Sequence, residues 1–206
     1  MQRLLETMRT LRGPGGCPWD QEQTHASLRP YLLEEAAEAV DAIGSGDPLA
    51  MSDELGDVLL QVAFHSVIAE ETESFAYEDI ETSIVDKLVR RHPHVFAGVS
   101  VADADEVVTN WQAIKAAEKA GASDEAKPED RVPHGLPALM RAAALGKRLE
   151  WPPLDAAAVT EAGRSLEPTE ESVGALLLAV VDYARAAGID PELALRDAAN
   201  LRAAGG

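Results

Sequence analysis

Two pairs of carboxylates carry the chemistry this sequence can do. Glu35 and Glu38, with Glu34 beside them, are followed after fifteen intervening residues by Glu54 and Asp57. Each pair has i, i+3 spacing, which puts both side chains on one face of a helix. Gly44-Ser45-Gly46-Asp47-Pro48 lies between them and signals a turn. One helix up and the next one back would bring the pairs face to face. Asp57 stands in the apolar run from Leu55 to Phe64, where an ionised carboxylate has to be paired, metal-bound or protonated. Facing unneutralised carboxylates repel, and a divalent cation resolves the repulsion. An all-oxygen donor set suits Mg²⁺ or Mn²⁺ rather than Zn²⁺.

Mg²⁺ keeps waters and favours phosphate co-ligands, so cationic side chains belong nearby. Lys87 and Arg91 are i, i+4, with Arg90 adjacent; Trp111 and Lys115 repeat that spacing further on. Taken singly, each has a plainer role, as a solvated helix end or a core tryptophan. Beside an acidic site they read as triphosphate contacts facing the metal. Cys17 lies in a Gly/Pro loop with no evident base, and His92 and His94 flank a proline as turn or capping residues. There is no Gly-x-x-x-x-Gly-Lys loop and no Gly-x-Gly-x-x-Gly fingerprint, so neither a P-loop nor a Rossmann nucleotide site is supported.

The elements that must position these groups are helices. Apolar spacing predicts helices over 2–12, from Pro30 to about Ile43, from about Asp47-Pro48 to about Ile68, over about 77–91 and over about 104–120. In the second of these, Leu33, Ala36, Ala37, Val40 and Ile43 form the expected inward stripe. Ile80, Ile84, Val85 and Leu88 do the same in the fourth. Gly56, in mid-helix, is expected to mark a close helix approach. No strand alternation occurs, and the reading is an all-α bundle. Residues 121–134 read as a linker, and 135–206 as a second helical unit. Setting Gly56 on Gly174 superposes apolar frames but puts Ser172 and Ala175 where Glu54 and Asp57 stand, so the second unit looks like an eroded copy.

Composition narrows the partners. Net charge is -18, which disfavours nucleic acid and anionic membrane as partners. From Pro30 to Asp86 there are fifteen Asp and Glu and no Lys or Arg. One cysteine excludes an internal disulfide framework, and no apolar run approaches the roughly 20 residues of a membrane span. A cytoplasmic location is the default expectation.

Glu34-Glu35-x-x-Glu38 with Glu54-x-x-Asp57 resembles the acidic signature of the MazG family of nucleoside triphosphate pyrophosphohydrolases. So do Gly16-Cys17-Pro18-Trp19-Asp20, Gly56-Asp57-Val58-Leu59-Leu60-Gln61-Val62 and Lys87-Leu88-Val89-Arg90-Arg91-His92-Pro93-His94-Val95-Phe96. The likeness is close over about residues 3–118 and faint beyond Arg141. It implies an all-α bundle that pairs into a homodimer, with residues 1–120 as the catalytic domain and 135–206 as a degenerate MazG-like domain. It implies Mg²⁺-dependent hydrolysis of NTPs and dNTPs to monophosphate and pyrophosphate, in nucleotide-pool housecleaning. By position, Glu35, Glu38, Glu54 and Asp57 match metal ligands, with Glu34 alongside, and Lys87, Arg91, Trp111 and Lys115 match nucleotide contacts. Some active members carry a Lys where this chain has Ala50. Ala50 and the eroded second half leave open a non-catalytic sensor of metal or nucleotide, or a helical partner-binding module.

Overall fold

The computed structural model describes residues 1–120 and 127–205. Of the expected linker at 121–134, residues 121–126 lie outside that description, as does Gly206 at the end of the second unit. The described residues contain helices and no strand, so the chain is all-α. It divides into two compact units, Met1–Ala122 and Ser123–Gly206.

The first unit contains α1 (Gln2–Arg12), α2 (Pro18–Glu22), α3 (Arg29–Ser45), α4 (Pro48–Glu71), α5 (Tyr77–Arg91), α6 (Pro93–Phe96) and α7 (Ala104–Ala120). The α3–α4 turn is fixed by local chemistry. Gly46 takes the left-handed conformation at φ 73° and its N–H caps Ile43 O, a position where a Cβ would be strained. Asp47 then accepts from Leu49 N–H at 2.9 Å, and Pro48 opens the next helix. With so short a connection, α3 and α4 pack antiparallel against each other.

The core forms around the second half of α4. Ala63, Phe64, Val67 and Ile68 are buried against Leu5 and Met8 of α1 and against Leu28. Two ion pairs lock α1 to the end of α4. Arg9 donates through Nε and Nη2 to both Glu70 oxygens at 2.8 Å. Arg12 grips both oxygens of Glu71 at 2.8 and 2.7 Å, and also donates to the carbonyls of Asp20 and Gln23.

The first half of α4 departs from expectation. Leu55 and Leu59 are exposed, and the buried residues of α4 begin only at Gln61. Asp57 is therefore half-buried at the edge of the core rather than inside it. Nothing approaches the position a Cβ would take at Gly56, so close packing within the chain does not explain that glycine. On α3, Leu33, Val40 and Ile43 face outward while Ala39 and Ala42 are buried. On α5, Ile84, Val85 and Leu88 are exposed too. The apolar stripes are real, but within the chain they stay largely uncovered.

The second unit holds a 3-10 turn (Pro128–Arg131), α8 (Ala138–Arg148), α9 (Ala156–Arg164), α10 (Glu170–Ala186) and α11 (Pro191–Ala204). α10 packs against α8, α9 and α11 and buries Val181 and Ala184. Buried Asp182 accepts from Arg185, which also donates to Trp151 O at 2.8 Å. Gly146 lets this group close. A Cβ there would meet Arg185 Nε, Asp182 Oδ1 and the Trp151 ring, each at 3.1 Å.

Candidate functional site

The α3–α4 hairpin does what the carboxylate spacing requires. Glu35 and Glu38 sit one turn apart on α3, and Glu54 stands opposite on α4. One oxygen from each lies within 4.8 Å of the others. Glu35 and Glu54 are half-buried and Glu38 is exposed. Asp57 is not part of that three-carboxylate group, but its charge acts on both Glu35 and Glu54. Glu34 acts on Glu35 from the adjoining position of α3.

Electrostatics reflect the crowding. Burial, and after it the charges of Asp57, Glu38, Glu34 and Glu54, raises the Glu35 carboxyl above the ordinary range. Burial also raises Glu54, with Glu38, Asp57 and Asp53 adding to it. Among the described residues, the charges that raise these two are those of other carboxylates. The donor set fits a divalent cation: three converging hard oxygens. An octahedral shell around Mg²⁺ at about 2.1 Å spans oxygen separations of roughly 3 to 4.2 Å, within reach of this grouping.

The expected cationic residues gather separately, on α5 and α7. Lys115 Nζ lies 4.1 Å from the centroid of the Trp111 ring and the Arg91 guanidinium 5.7 Å from it. Thus Arg91, Trp111 and Lys115 come together. Lys87 is half-buried one turn before Arg91 on the same helix. Glu118, which spacing did not single out, binds Arg90 and Arg91 at once, in ion pairs of 2.6 Å each. These two bonds hold its carboxyl down at about 2. His92 ends α5, its Nδ1 2.7 Å from Leu88 O, in keeping with a capping role.

A third group extends along α4 from the carboxylates. Glu54, Asp57, Gln61 and His65 fall on one edge of that helix. Gln61 is buried and its Oε1 has no hydrogen-bond partner among the described residues. His65 meets His25 with their Nδ1 atoms 2.7 Å apart and their rings stacked, and Phe75 stacks on His25. One proton between the two nitrogens makes this bond, and burial together with His25 lowers the His65 pKa. Trp19 packs edge-on against Tyr31 and Phe64. Residues 40 apart make the His25–His65 contact, so no local spacing could have revealed it.

The chain is also similar to known proteins. A family model described as the MazG nucleotide pyrophosphohydrolase domain matches residues 23–96, which include all five carboxylates as well as Lys87 and Arg91. The nucleoside triphosphate pyrophosphohydrolase of Escherichia coli (strain K12) is 41% identical over 217 residues, covering 96% of this chain and 82% of that protein. The nucleoside triphosphate pyrophosphohydrolase/pyrophosphatase MazG of Thermotoga maritima is 36% identical over 214 residues, covering 96% of this chain and 80% of that protein. A nucleoside triphosphate pyrophosphohydrolase of Mycobacterium tuberculosis is 39% identical, covering 88% of this chain and 56% of that protein.

Proposed function

This chain belongs to the MazG family of nucleoside triphosphate pyrophosphohydrolases, and we propose that its first unit hydrolyses NTPs and dNTPs to monophosphate and pyrophosphate at the α3–α4 carboxylates. The observation that carries the assignment of the site is the convergence of Glu35, Glu38 and Glu54, with neighbouring carboxylates raising Glu35 and Glu54. Glu35, Glu38, Glu54 and Asp57 would hold Mg²⁺, with Mn²⁺ as a substitute. The bound cation would supply Lewis-acid polarisation of the phosphate and ease deprotonation of water.

The chain's own groups do the rest. Water attacks the α-phosphorus, the bond from that phosphorus to the bridging oxygen breaks, and pyrophosphate leaves. Glu34 flanks the three-carboxylate group and is coupled to Glu35, which suits it to orient the water and take its proton. Glu35 is the other carboxylate placed for that step. Arg91 and Lys115, gathered on Trp111, together with Lys87 would offset charge on the triphosphate and on the departing pyrophosphate.

The uncovered apolar faces of α3, α4 and α5 support a second proposal, that two copies pair through them. Leu33, Val40, Ile43, Leu55 and Leu59 are exposed large apolar side chains on neighbouring helices, the kind of surface a partner covers. The second unit, without the carboxylates, takes the part of a degenerate MazG-like domain. A cytoplasmic housecleaning role goes with the activity, and no single described helix is long and apolar enough to cross a membrane. The test is pyrophosphate release from an NTP and dNTP panel with Mg²⁺. The reading expects turnover, lost in Glu38→Ala and in Asp57→Ala. Nucleotide binding without pyrophosphate release would favour the sensor reading, and full turnover in both variants would remove the site.

A further inference from the structure

Glu118 stands out because it is the anion in a cluster otherwise built of cations. Lys87, Arg90 and Arg91 project from the end of α5, and Lys115 from α7. Arg90 and Arg91 are adjacent in sequence, so their charges repel and their long side chains are free to disperse. In the structure they do not disperse. Arg90 donates from Nε to Glu118 Oε1 at 2.6 Å. Arg91 donates from Nε at 3.1 Å and from Nη2 at 2.6 Å to Glu118 Oε2. The Arg91 guanidinium is at the same time held over Trp111. Arg91 and Glu118 are both largely buried, at 18% and 23% side-chain exposure, whereas Arg90 is 54% exposed.

We propose that Glu118 is a positioning residue for the triphosphate clamp, fixing Arg90 and Arg91 by their Nε sides so that their outer donors face the nucleotide. The inference rests on the reading of Arg91 as a nucleotide contact. What favours positioning over blocking is the side of the fork that Glu118 uses. A guanidinium has five N–H donors, and a phosphate is gripped well through its end-on pair, Nη1 and Nη2. Glu118 takes Arg91 side-on, through Nε and Nη2, and takes Arg90 through Nε alone. Nη1 of Arg91 and both Nη groups of Arg90 are left unused by Glu118. Fixing two flexible arginines before substrate arrives removes an ordering cost from binding.

The test is calorimetric binding of a non-hydrolysable dNTP analogue, with Mg²⁺, to the full chain and to Glu118→Ala, Glu118→Gln, Arg91→Ala and the Glu118→Ala/Arg91→Ala double variant. Glu118→Ala is expected to weaken binding on the order of ten-fold although it adds net positive charge, since two charge-assisted grips on the clamp are lost. Glu118→Gln, which keeps one acceptor oxygen, falls between. In the Arg91→Ala background the loss of Glu118 adds about three-fold or less, because the two act through one another. With hydrolysable substrate, KM rises while kcat changes little. A merely structural role would lower thermal stability without this coupling and without rescue by Gln. Unchanged or tighter binding in Glu118→Ala overturns the proposal while leaving the hydrolytic assignment intact. Wild-type affinity in Arg91→Ala overturns the underlying contact, and this role with it.

Discussion

Replacing Arg12 by Met tests how the loop that carries Trp19 and His25 is tied to the core. Arg12 lies at the end of α1 with its side chain only 6% exposed. It donates to both oxygens of Glu71, to the carbonyls of Asp20 and Gln23, and sits 5.6 Å from the centre of the Phe64 ring. Methionine keeps much of the aliphatic stem and loses every donor. The Glu71 pair is worth about 1 kcal/mol or less, because Glu71 is 44% exposed and screened. The two carbonyl bonds from a buried cation contribute more, about 1.5 kcal/mol each at the low end for hydrogen bonds to charged groups. Together these give a loss of about 3 to 4 kcal/mol, in line with breaking a largely buried charged network. Urea unfolding followed by tryptophan fluorescence reads the change directly. At roughly 4 °C per kcal/mol for a unit of this size, the thermal midpoint falls by about 12 to 16 °C. Glu71→Gln should cost about 1 kcal/mol or less, since it removes only the screened partner. A loss below about 1 kcal/mol in Arg12→Met would refute the claim that this guanidinium ties α1, the α2 loop and α4 together.

Other outcomes follow from the same structure. Mg²⁺ at a hundred-fold excess over its dissociation constant should stabilise the first unit by about 2.7 kcal/mol, and Glu38→Gln should remove most of that gain in a melting series. Because Glu35 and Glu54 are raised, the folded state holds their protons more tightly than the unfolded state. Chelator-treated protein should therefore melt higher just above the ordinary carboxylate range than at neutral pH, a difference that saturating Mg²⁺ abolishes. Glu118 has the opposite sign. Its contribution is complete above the ordinary carboxylate pKa and is lost progressively as pH falls from there to about 2. Gly146→Ala should destabilise the second unit by about 1 to 3 kcal/mol through the 3.1 Å contacts its Cβ would make, with pyrophosphate release per folded molecule unchanged.

Much of the site was legible because its geometry is local. The i, i+3 carboxylates, the Gly46-Asp47-Pro48 turn and the missing cations between Pro30 and Asp86 together place Glu35 and Glu38 opposite Glu54. The i, i+4 spacing of Trp111 and Lys115 likewise anticipates their contact. The bonds that crossed the chain were not legible. Arg12 with Glu71, His25 with His65, and Arg91 with Glu118 are 59, 40 and 27 residues apart, and each partner alone reads as an ordinary surface residue. Apolar periodicity found the apolar stripes of α3, α4 and α5 but not which face the chain buries: α3 buries Ala39 and Ala42 instead of its stripe of Leu33, Val40 and Ile43. Leu33, Leu55 and Ile84 are spaced like core residues and are exposed in the chain. The same ambiguity misled the reading of Gly56, which has open space around it.

Whether the α3–α4 carboxylates direct water to the α-phosphorus of a nucleoside triphosphate is read by hydrolysing a dNTP with Mg²⁺ in oxygen-18-labelled water, the products resolved by mass, for the wild type and for Glu38→Ala. One labelled oxygen in the monophosphate, unlabelled pyrophosphate, and no products from the variant are expected. Label in the pyrophosphate, or undiminished turnover in Glu38→Ala, would overturn that role for the carboxylates.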